Sequence, residues 1–502
     1  MEYHESTRQQ DMTEPLIRQD EKGSIISEED DDLKPENPSQ KGSPGVEWLS
    51  TAIAVWGSFQ FGCCVHYTSP TQTAIRKDLN LSLAEYSVFA SVLAIGAMIG
   101  GLTSGHISDL IGRKGTMRVA AAFCIVGWLA IGFTEGVLLL DLGRMCTGYG
   151  IGIFSYVVPV FIAEIAPKDL RGGFTSLNEL MIQVGGSITY LLGTVLTWRM
   201  LALVGLIPSL MLILGMFFVP ESPRWLVMVG QQREFEASLQ RLRGKDADIS
   251  FEASEIQEYT EKLQQMPQIR ILDLFQKRYL HSVIVSIFPF HYSGLYLKLW
   301  IGLMLFKQFG GMSAIGSYAS ATLELAGFSS GKFGTIVIGL CQIPVTTIAV
   351  ALMDRCGRRP LLLVSSVGTF LGTFLIGLAF YLKDHELVLK LIPMMVLAGV
   401  LIYLWSLASG IGSASWVIMS EIFPLNVKGA AGSLAIWANW FGSWAVSYTF
   451  NYLISWSSSG TFFLYSAVSA AAILFVAKLV PETRRRTLEE IQAHMLFSNS
   501  HS

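Results

Sequence analysis

Charge is scarce in this chain: Asp, Glu, Lys and Arg make up 15% of its 502 residues, and the mean hydropathy is +0.46. A soluble protein of that size and composition would expose too much apolar surface to stay dispersed, so the sequence belongs in lipid. The net charge of −3 gives no case for nucleic acid as a partner. Cysteine is sparse as well. Of the six, Cys63, Cys64, Cys124, Cys146 and Cys341 lie in apolar stretches and Cys356 in a basic loop, without metal-ligand spacing, so neither a zinc site nor a disulfide framework is expected. No charged leader precedes a short apolar core, and a cleaved secretory signal is not expected. No nucleophile–base pair or metal cluster sits among the apolar stretches, so no enzymatic activity and no cofactor are expected.

What the chain has in quantity is long apolar runs. A hydrocarbon core about 30 Å thick needs about 20 apolar residues per helix. Spans are predicted near 49–69, 87–107, 116–135, 137–157, 174–196 and 200–219, then near 301–322, 333–353, 361–382, 391–418, 430–454 and 461–480. The fold class is therefore an all-α membrane protein with twelve transmembrane helices in two pseudo-symmetric six-helix bundles, 47–219 and 280–480. Between them, 220–279 is polar, and Phe235, Leu239, Leu242 and then Ile256, Tyr259, Leu263 fall at helical spacing. Lys and Arg concentrate on the side of that segment, which makes the linker and both termini cytoplasmic.

Residues 1–46 are polar, with an acidic run at 28–32 and a Pro/Ser/Gly stretch at 35–45, and read as a disordered cytosolic tail; 481–502 reads as a second cytosolic tail. Glu14, Leu16 and Ile17 loosely resemble an acidic dileucine signal for sorting adaptors, although Met12 stands four before Leu16. Another irregularity is the apolar stretch 280–325, longer than one helix requires. Either a lead-in precedes the seventh span, or 286–299 is an insertion, and the insertion is the favoured reading.

Three motif pairs recur in order across the halves. Asp109, Gly112, Arg113 and Lys114 match Asp354, Gly357, Arg358 and Arg359; Glu164 to Arg171 matches Glu421 to Lys428; Glu221 matches Glu482. The offsets of 245, 257 and 261 positions argue for a duplicated half. Carboxylates and bases at helix ends form bonds that hold in one conformation and break in another. The plain alternative is that the bases are topological anchors. Arg144 and Glu179 lie within spans, where ionisable residues are costly and usually functional. Snorkelling for Arg144 and an interfacial place for Glu179 are the bland alternatives; if buried, Glu179 is a candidate proton carrier. Gln308, Gln342, Trp416, Asn439 and Trp440 place amides and indoles on facing helices, a set suited to the polar rim and C–H-rich face of a sugar ring.

The segments GHISDLIGRK, PVFIAEIAPKDLRG, PESPRWL, KQFGG, DRCGRRP, SEIFP, NW and PETRRRT together resemble the signature set of the sugar porter family of the major facilitator superfamily, over about 48–490. The tail, WLVMVGQ and RYLHSVIV are most similar to plant early-response-to-dehydration-six-like monosaccharide transporters. This resemblance implies a hexose site drawn largely from Gln308, Gln342, Trp416, Asn439 and Trp440. It also implies a cytoplasmic salt-bridge network of Asp109, Arg113, Glu164, Arg171, Glu221, Asp354, Arg358 and Glu421, to which Lys428 and Glu482 add their matching charges.

Four departures qualify it. Lys307 stands where the family usually has the first glutamine of a pair, Ser313 where it has an asparagine, and Glu179 where it has a glutamine. Cys63 and Cys64 occupy the place where proton-coupled relatives carry an aspartate opposite the arginine represented by Arg144. These changes point to facilitated diffusion, with proton coupling through Glu179 and Arg144, or a non-transporting sensor or inactive isoform, as alternatives. The resemblance and the tail tilt the expected location towards the vacuolar membrane, with the plasma membrane as the alternative.

Overall fold

The computed structural model describes residues 45–167, 171–265, 292–328, 332–412, 415 and 425–480. Trp416, Glu421, Glu482, the tail residues Glu14, Leu16 and Ile17, and 286–291 of the candidate insertion lie outside them, as do the side chains of Arg171, Asp354 and Lys428.

Every regular element among the described residues is a helix. The first half contains α1 (Gly45–His66), α2 (Thr68–Asp78), α3 (Leu83–Gly132), α4 (Val137–Ile165), α5 (Arg171–Gly193), α6 (Trp198–Val204) and α7 (Leu206–Gly215). Three linker helices follow: α8 (Pro223–Met228), α9 (Gln232–Arg243) and α10 (Ser250–Gln265). The second half contains α11 (Tyr292–Phe309), α12 (Met312–Leu325), α13 (Lys332–Arg355), α14 (Arg358–Asp384), α15 (Ile392–Ser409), α16 (Leu425–Trp456) and α17 (Ser458–Leu479).

Among the described residues seven helical stretches are long and apolar enough to cross a membrane: α1, α3, α4, α6 with α7, α14, α15 and α17. The other long helices, α5, α11, α13 and α16, carry Glu179, Lys307 with Gln308, Gln342, and Asn439 respectively.

Glycine sets two of the main geometric features. Within α3, Gly112 adopts φ +78°, breaking the helix at the junction of two expected spans. Between α3 and α4, a Cβ on Gly148 would lie 2.2 Å from the Leu93 carbonyl oxygen, and one on Gly152 2.3 Å from that of Ala97. Without side chains there, the two backbones approach closely, which is how helices associate where lipid removes the hydrophobic drive.

The seventh span is interrupted, as α11 ends at Phe309 and Gly311 takes φ +98° before α12 begins. Residues 292–299 of the candidate insertion lie inside α11, continuous with that span. The expected span at 391–418 is also shorter than its apolar run: α15 stops at Ser409, and Gly410 leaves helical geometry at φ −148°, ψ −83°. A side chain at Gly410 would meet the Leu361 carbonyl oxygen at 2.5 Å.

In the linker, α9 buries Phe235, Leu239 and Leu242 at the spacing expected of an amphipathic helix, and Phe235 and Leu239 pack with Leu226 and Ile256. Arg243 closes the end of α9 through ion pairs to Glu47 of α1 and to Glu252 of α10, the latter at 2.6 Å, and donates to the Ile165 carbonyl at 3.0 Å. The linker is thereby tied to the cytoplasmic ends of α1 and α4.

Candidate functional site

The first motif copy folds into a buried cluster where α3, the end of α4 and the start of α8 meet. Arg113, 5% exposed, meets Glu164 bidentately, with Nε to Oε2 and Nη2 to Oε1 both at 2.8 Å. Its Nη1 donates to the Ser108 carbonyl at 3.3 Å and lies 3.6 Å from Asp109 Oδ1. Ser222 Oγ donates to Glu164 Oε2 at 2.5 Å. A fork-to-carboxylate pair with extra donors is the geometry in which a buried ion pair holds well.

Glu221 works differently from the side-chain ion pair expected of it. Its carboxylate accepts from the backbone N–H groups of Arg113 at 3.2 Å, Lys114 at 3.2 Å and Ser222 at 2.8 Å. It thus caps the helical segment that begins after Gly112, where unpaired amides gather. Burial pushes the Glu221 carboxyl above its ordinary value of 4.5, against the pull of the Ser222 and Lys114 N–H groups and of the Lys114 and Arg113 charges. In the second copy, Arg359 donates to the Ala477 carbonyl at 2.6 Å, and Arg358 is partly buried at the start of α14.

A second constellation lies in the helical interior, away from that cluster. Gln308, at the end of α11, donates to Asn439 Oδ1 of α16 at 3.0 Å, and Ser313 Oγ lies 2.7 Å from both Gln308 Oε1 and Ser443 Oγ. Trp440, buried next to Asn439, sets its ring 5.8 Å from Phe61 of α1. On the facing side Gln342 of α13 donates to Gln183 Oε1 of α5 and approaches His66 Nε2 at 3.5 Å. The Gln342 Oε1 atom is buried and without a hydrogen-bond partner among the described residues. Glu179 lies one helical turn before Gln183 on α5, two turns in from the helix start, which is deeper than the interfacial place considered for it.

Arg144 is not a snorkelling residue: it is 0% exposed, and Nε, Nη1 and Nη2 have no hydrogen-bond partner among the described residues. Its guanidinium sits over the rings of Tyr67 at 5.7 Å and Phe89 at 5.5 Å. Cys64 is also fully buried.

Hydrogen bonds between the halves gather at the helix ends away from the Arg113–Glu164 cluster. Asn451 Nδ2 donates to Ser87 Oγ at 2.9 Å, the Ser320 N–H to Ser69 Oγ at 3.1 Å, and Tyr190 OH to the Gly316 carbonyl at 2.6 Å. These close that end above the amide cluster. Sequence reading singled out none of them, nor His66, whose ring stacks edge-on against Tyr190 at 4.9 Å. His66 had an available signal as an ionisable residue at the end of an apolar span. The serines and tyrosines had none, because neutral hydroxyls occur throughout membrane helices.

The comparisons agree with this geometry. Residues 49–495 match the Sugar (and other) transporter family. The chain is 53% identical over 485 residues to Sugar transporter ERD6-like 16 of Arabidopsis thaliana, covering 95% of this chain and 98% of that protein. It is 52% identical over 455 residues to Sugar transporter ERD6-like 7 of the same plant, covering 91% and 95%. Among solved structures, the partially occluded inward-open xylose transporter XylE from E. coli superposes with a TM-score of 0.72 at 25% identity, covering 88% of this chain and 100% of XylE. The proton:xylose symporter XylE bound to 6-bromo-6-deoxy-D-glucose gives 0.69 at 26% identity, covering 90% and 99%. Two helical bundles, amides at their contact, the Arg113–Glu164 cluster and near full-length matches lead to one assignment: the chain belongs to the sugar transporter family of the major facilitator fold.

Proposed function

We propose that this chain carries a neutral monosaccharide, a hexose such as glucose or fructose, by rocking its two bundles about the midplane amides. The observation that carries the reading is two amide pairs, Gln308 with Asn439 inside the second bundle and Gln183 with Gln342 across the two bundles, beneath a closed extracytoplasmic end. Amides offer both donors and acceptors, as sugar hydroxyls do, and Trp440 adds an apolar face. Arg113, Glu164, Asp109 and Glu221 are the cytoplasmic contacts proposed to break and reform in each cycle, with Arg171, Asp354, Arg358, Glu421, Lys428 and Glu482 as their partners or counterparts.

We further propose facilitated diffusion. In support, Arg144 has the rings of Tyr67 and Phe89 against its guanidinium, and its three side-chain nitrogens have no hydrogen-bond partner, a carboxylate included, among the described residues. Proton coupling is the second reading, favoured by the structural likeness to a protein described as a proton:xylose symporter and by Glu179 within α5. Uptake of labelled glucose and fructose into proteoliposomes, with and without an inward proton gradient, separates the two. Gradient-independent uptake is expected; uptake that rises strongly with the gradient, and loses that rise in Glu179→Gln, overturns it. No uptake by this chain, with uptake restored on deleting 286–299, identifies an inactive isoform, and no restoration identifies a sensor. The vacuolar membrane is the proposed location, with adaptors reading the N-terminal tail. A fluorescent fusion that stays at the vacuole after Leu16→Ala and Ile17→Ala would remove the tail from that account.

A further inference from the structure

His66 is the last residue of α1, and its ring is held on three sides. Nδ1 lies 2.9 Å from the Gly62 carbonyl, one turn back on the same helix. A carbonyl oxygen only accepts, so that nitrogen carries the hydrogen and, in the neutral imidazole, Nε2 is left as an acceptor. The ring rests on α5, where a Cβ at Gly186 would fall 2.5 Å from Nδ1, and it meets Tyr190 edge-on at 4.9 Å. A Cβ at Gly62 would fall 2.0 Å from the Ile182 carbonyl oxygen, so α1 and α5 approach backbone to backbone and carry the ring together.

The remaining atom, Nε2, faces the other bundle. Gln342 Nε2, on α13, lies 3.5 Å away, at the long limit of a hydrogen bond, and donates more closely to Gln183 Oε1 of α5. Gln342 Oε1 is buried without a partner among the described residues. Three acceptor atoms therefore converge here, His66 Nε2 and two amide oxygens, and the Gln342 NH2 group serves two of them. His66 and Gln183 belong to the first bundle and Gln342 to the second, so a motion that parts the bundles withdraws that NH2 group from both acceptors at once. Acceptors left unmet away from water are costly. All three side chains are half-buried, with room at their junction for a solute.

We propose that His66 Nε2 binds a hydroxyl of the sugar and is a specificity determinant of this chain, selecting a hydroxyl that donates. A glutamine can turn either its oxygen or its NH2 group to a sugar, so an amide accepts either hydroxyl orientation. The imidazole, with its Nδ1 hydrogen committed to Gly62, presents an acceptor alone. A hydroxyl that takes the place of the Gln342 NH2 group donates to His66, and an analogue that cannot donate leaves Nε2 unmet. The ring also stands against Tyr190, whose OH donates to the Gly316 carbonyl of α12 at 2.6 Å. A sugar seated on His66 is thus next to one of the bonds that join the halves.

This role for His66 rests on the sugar-transport reading, and two measurements keep them apart. Wild type, His66→Gln, His66→Phe and His66→Leu are reconstituted for uptake of labelled glucose, with the monodeoxyglucoses and deoxyfluoroglucoses as competitors; a C–F group cannot donate. In wild type, the deoxy and fluoro analogues at one ring position are each expected to compete about tenfold less well than glucose. His66→Phe keeps an aromatic ring against Tyr190 without an acceptor. It should raise KM about tenfold, change the maximal rate by less than about threefold, and abolish that discrimination. His66→Leu, slimmer over Gly186, serves where the larger phenyl ring prevents folding. His66→Gln supplies an oxygen at the reach of Nε2 and should bring KM back to within about threefold of wild type. Discrimination absent from wild type, or unchanged in both His66→Phe and His66→Leu, overturns the proposal, as does a fall in maximal rate at constant KM, the mark of a purely structural ring. The second measurement is protection by glucose against thermal unfolding of the purified proteins, which reads binding without transport. If no protein takes up sugar, yet glucose raises the unfolding temperature of wild type and not that of His66→Phe or His66→Leu, the transport reading fails and the His66 contact stands. Equal protection of wild type and both variants overturns the contact, and protection of none overturns both readings.

Discussion

Gly112 and Glu221 illustrate how much a single residue position can determine. Gly112 takes a left-handed φ, and a Cβ there would fall 2.6 Å from Glu221 Oε2. Gly112→Ala should therefore lower the unfolding temperature measured by tryptophan fluorescence, with about 1–2 kcal/mol from the backbone alone and a further loss from displacing the cap. Glu221 yields a pH prediction. Its folded value is raised above 4.5, so its favourable contribution is fully present below 4.5 and is lost as pH rises through the folded value. A glutamine does not titrate. The unfolding temperature of Glu221→Gln relative to wild type should thus rise from pH 4 to pH 7, and a fall over that interval would contradict the assignment. The charges of this cluster were legible in sequence because carboxylates and bases recur at matching offsets. The capping role of Glu221 was not, since it depends on a backbone reversal at Gly112 that brings residues more than a hundred positions apart into contact.

Helices were legible where apolar runs are long, and their ends were less so. The expected central spans coincide with α1, α3, α4 and α14 closely, while α2 was not anticipated: its sequence, TSPTQTAIRKD, is polar and gives no hydropathy signal. It extends the first span beyond the membrane core, where Tyr67 donates to the Trp198 carbonyl at 2.8 Å and Tyr86 to that of Thr68 at 2.7 Å. The α3–α4 contact is the element-scale feature most exposed to substitution. Gly148→Val, introducing a branched side chain 2.2 Å from a carbonyl oxygen at its first atom, should abolish the monodisperse peak in fluorescence-detected size exclusion. Val195→Ala, at a site 83% exposed, should leave the peak in place.

At the level of the whole molecule, the two bundles meet through hydroxyls and amides at the extracytoplasmic end. Replacing Ser87 and Asn451 by cysteines, whose present side-chain atoms are 2.9 Å apart, should permit an oxidative cross-link that holds that end shut. Uptake in proteoliposomes should fall to background on oxidation and return on reduction; uptake indifferent to the cross-link would mean that this end does not open in the cycle. The duplication that announced two bundles was visible in the sequence at once. Their mutual contacts were not, because Ser69, Ser87, Tyr190 and Ser320 are neutral residues whose significance comes only from what stands opposite them.

The midplane amides carry a kinetic consequence. Gln308 binds Asn439 and Ser313, and Gln183 binds Gln342, so these side chains satisfy one another as a sugar's hydroxyls would. Turning round empty then leaves few polar groups stranded, and an incoming hexose exchanges one set of hydrogen bonds for another of similar worth. On the facilitated-diffusion proposal, such a carrier would run downhill in either direction without waiting for a return passenger. Preloading vesicles with unlabelled glucose should accelerate entry of the labelled sugar by less than about twofold, since exchange and net flow face nearly the same slow step.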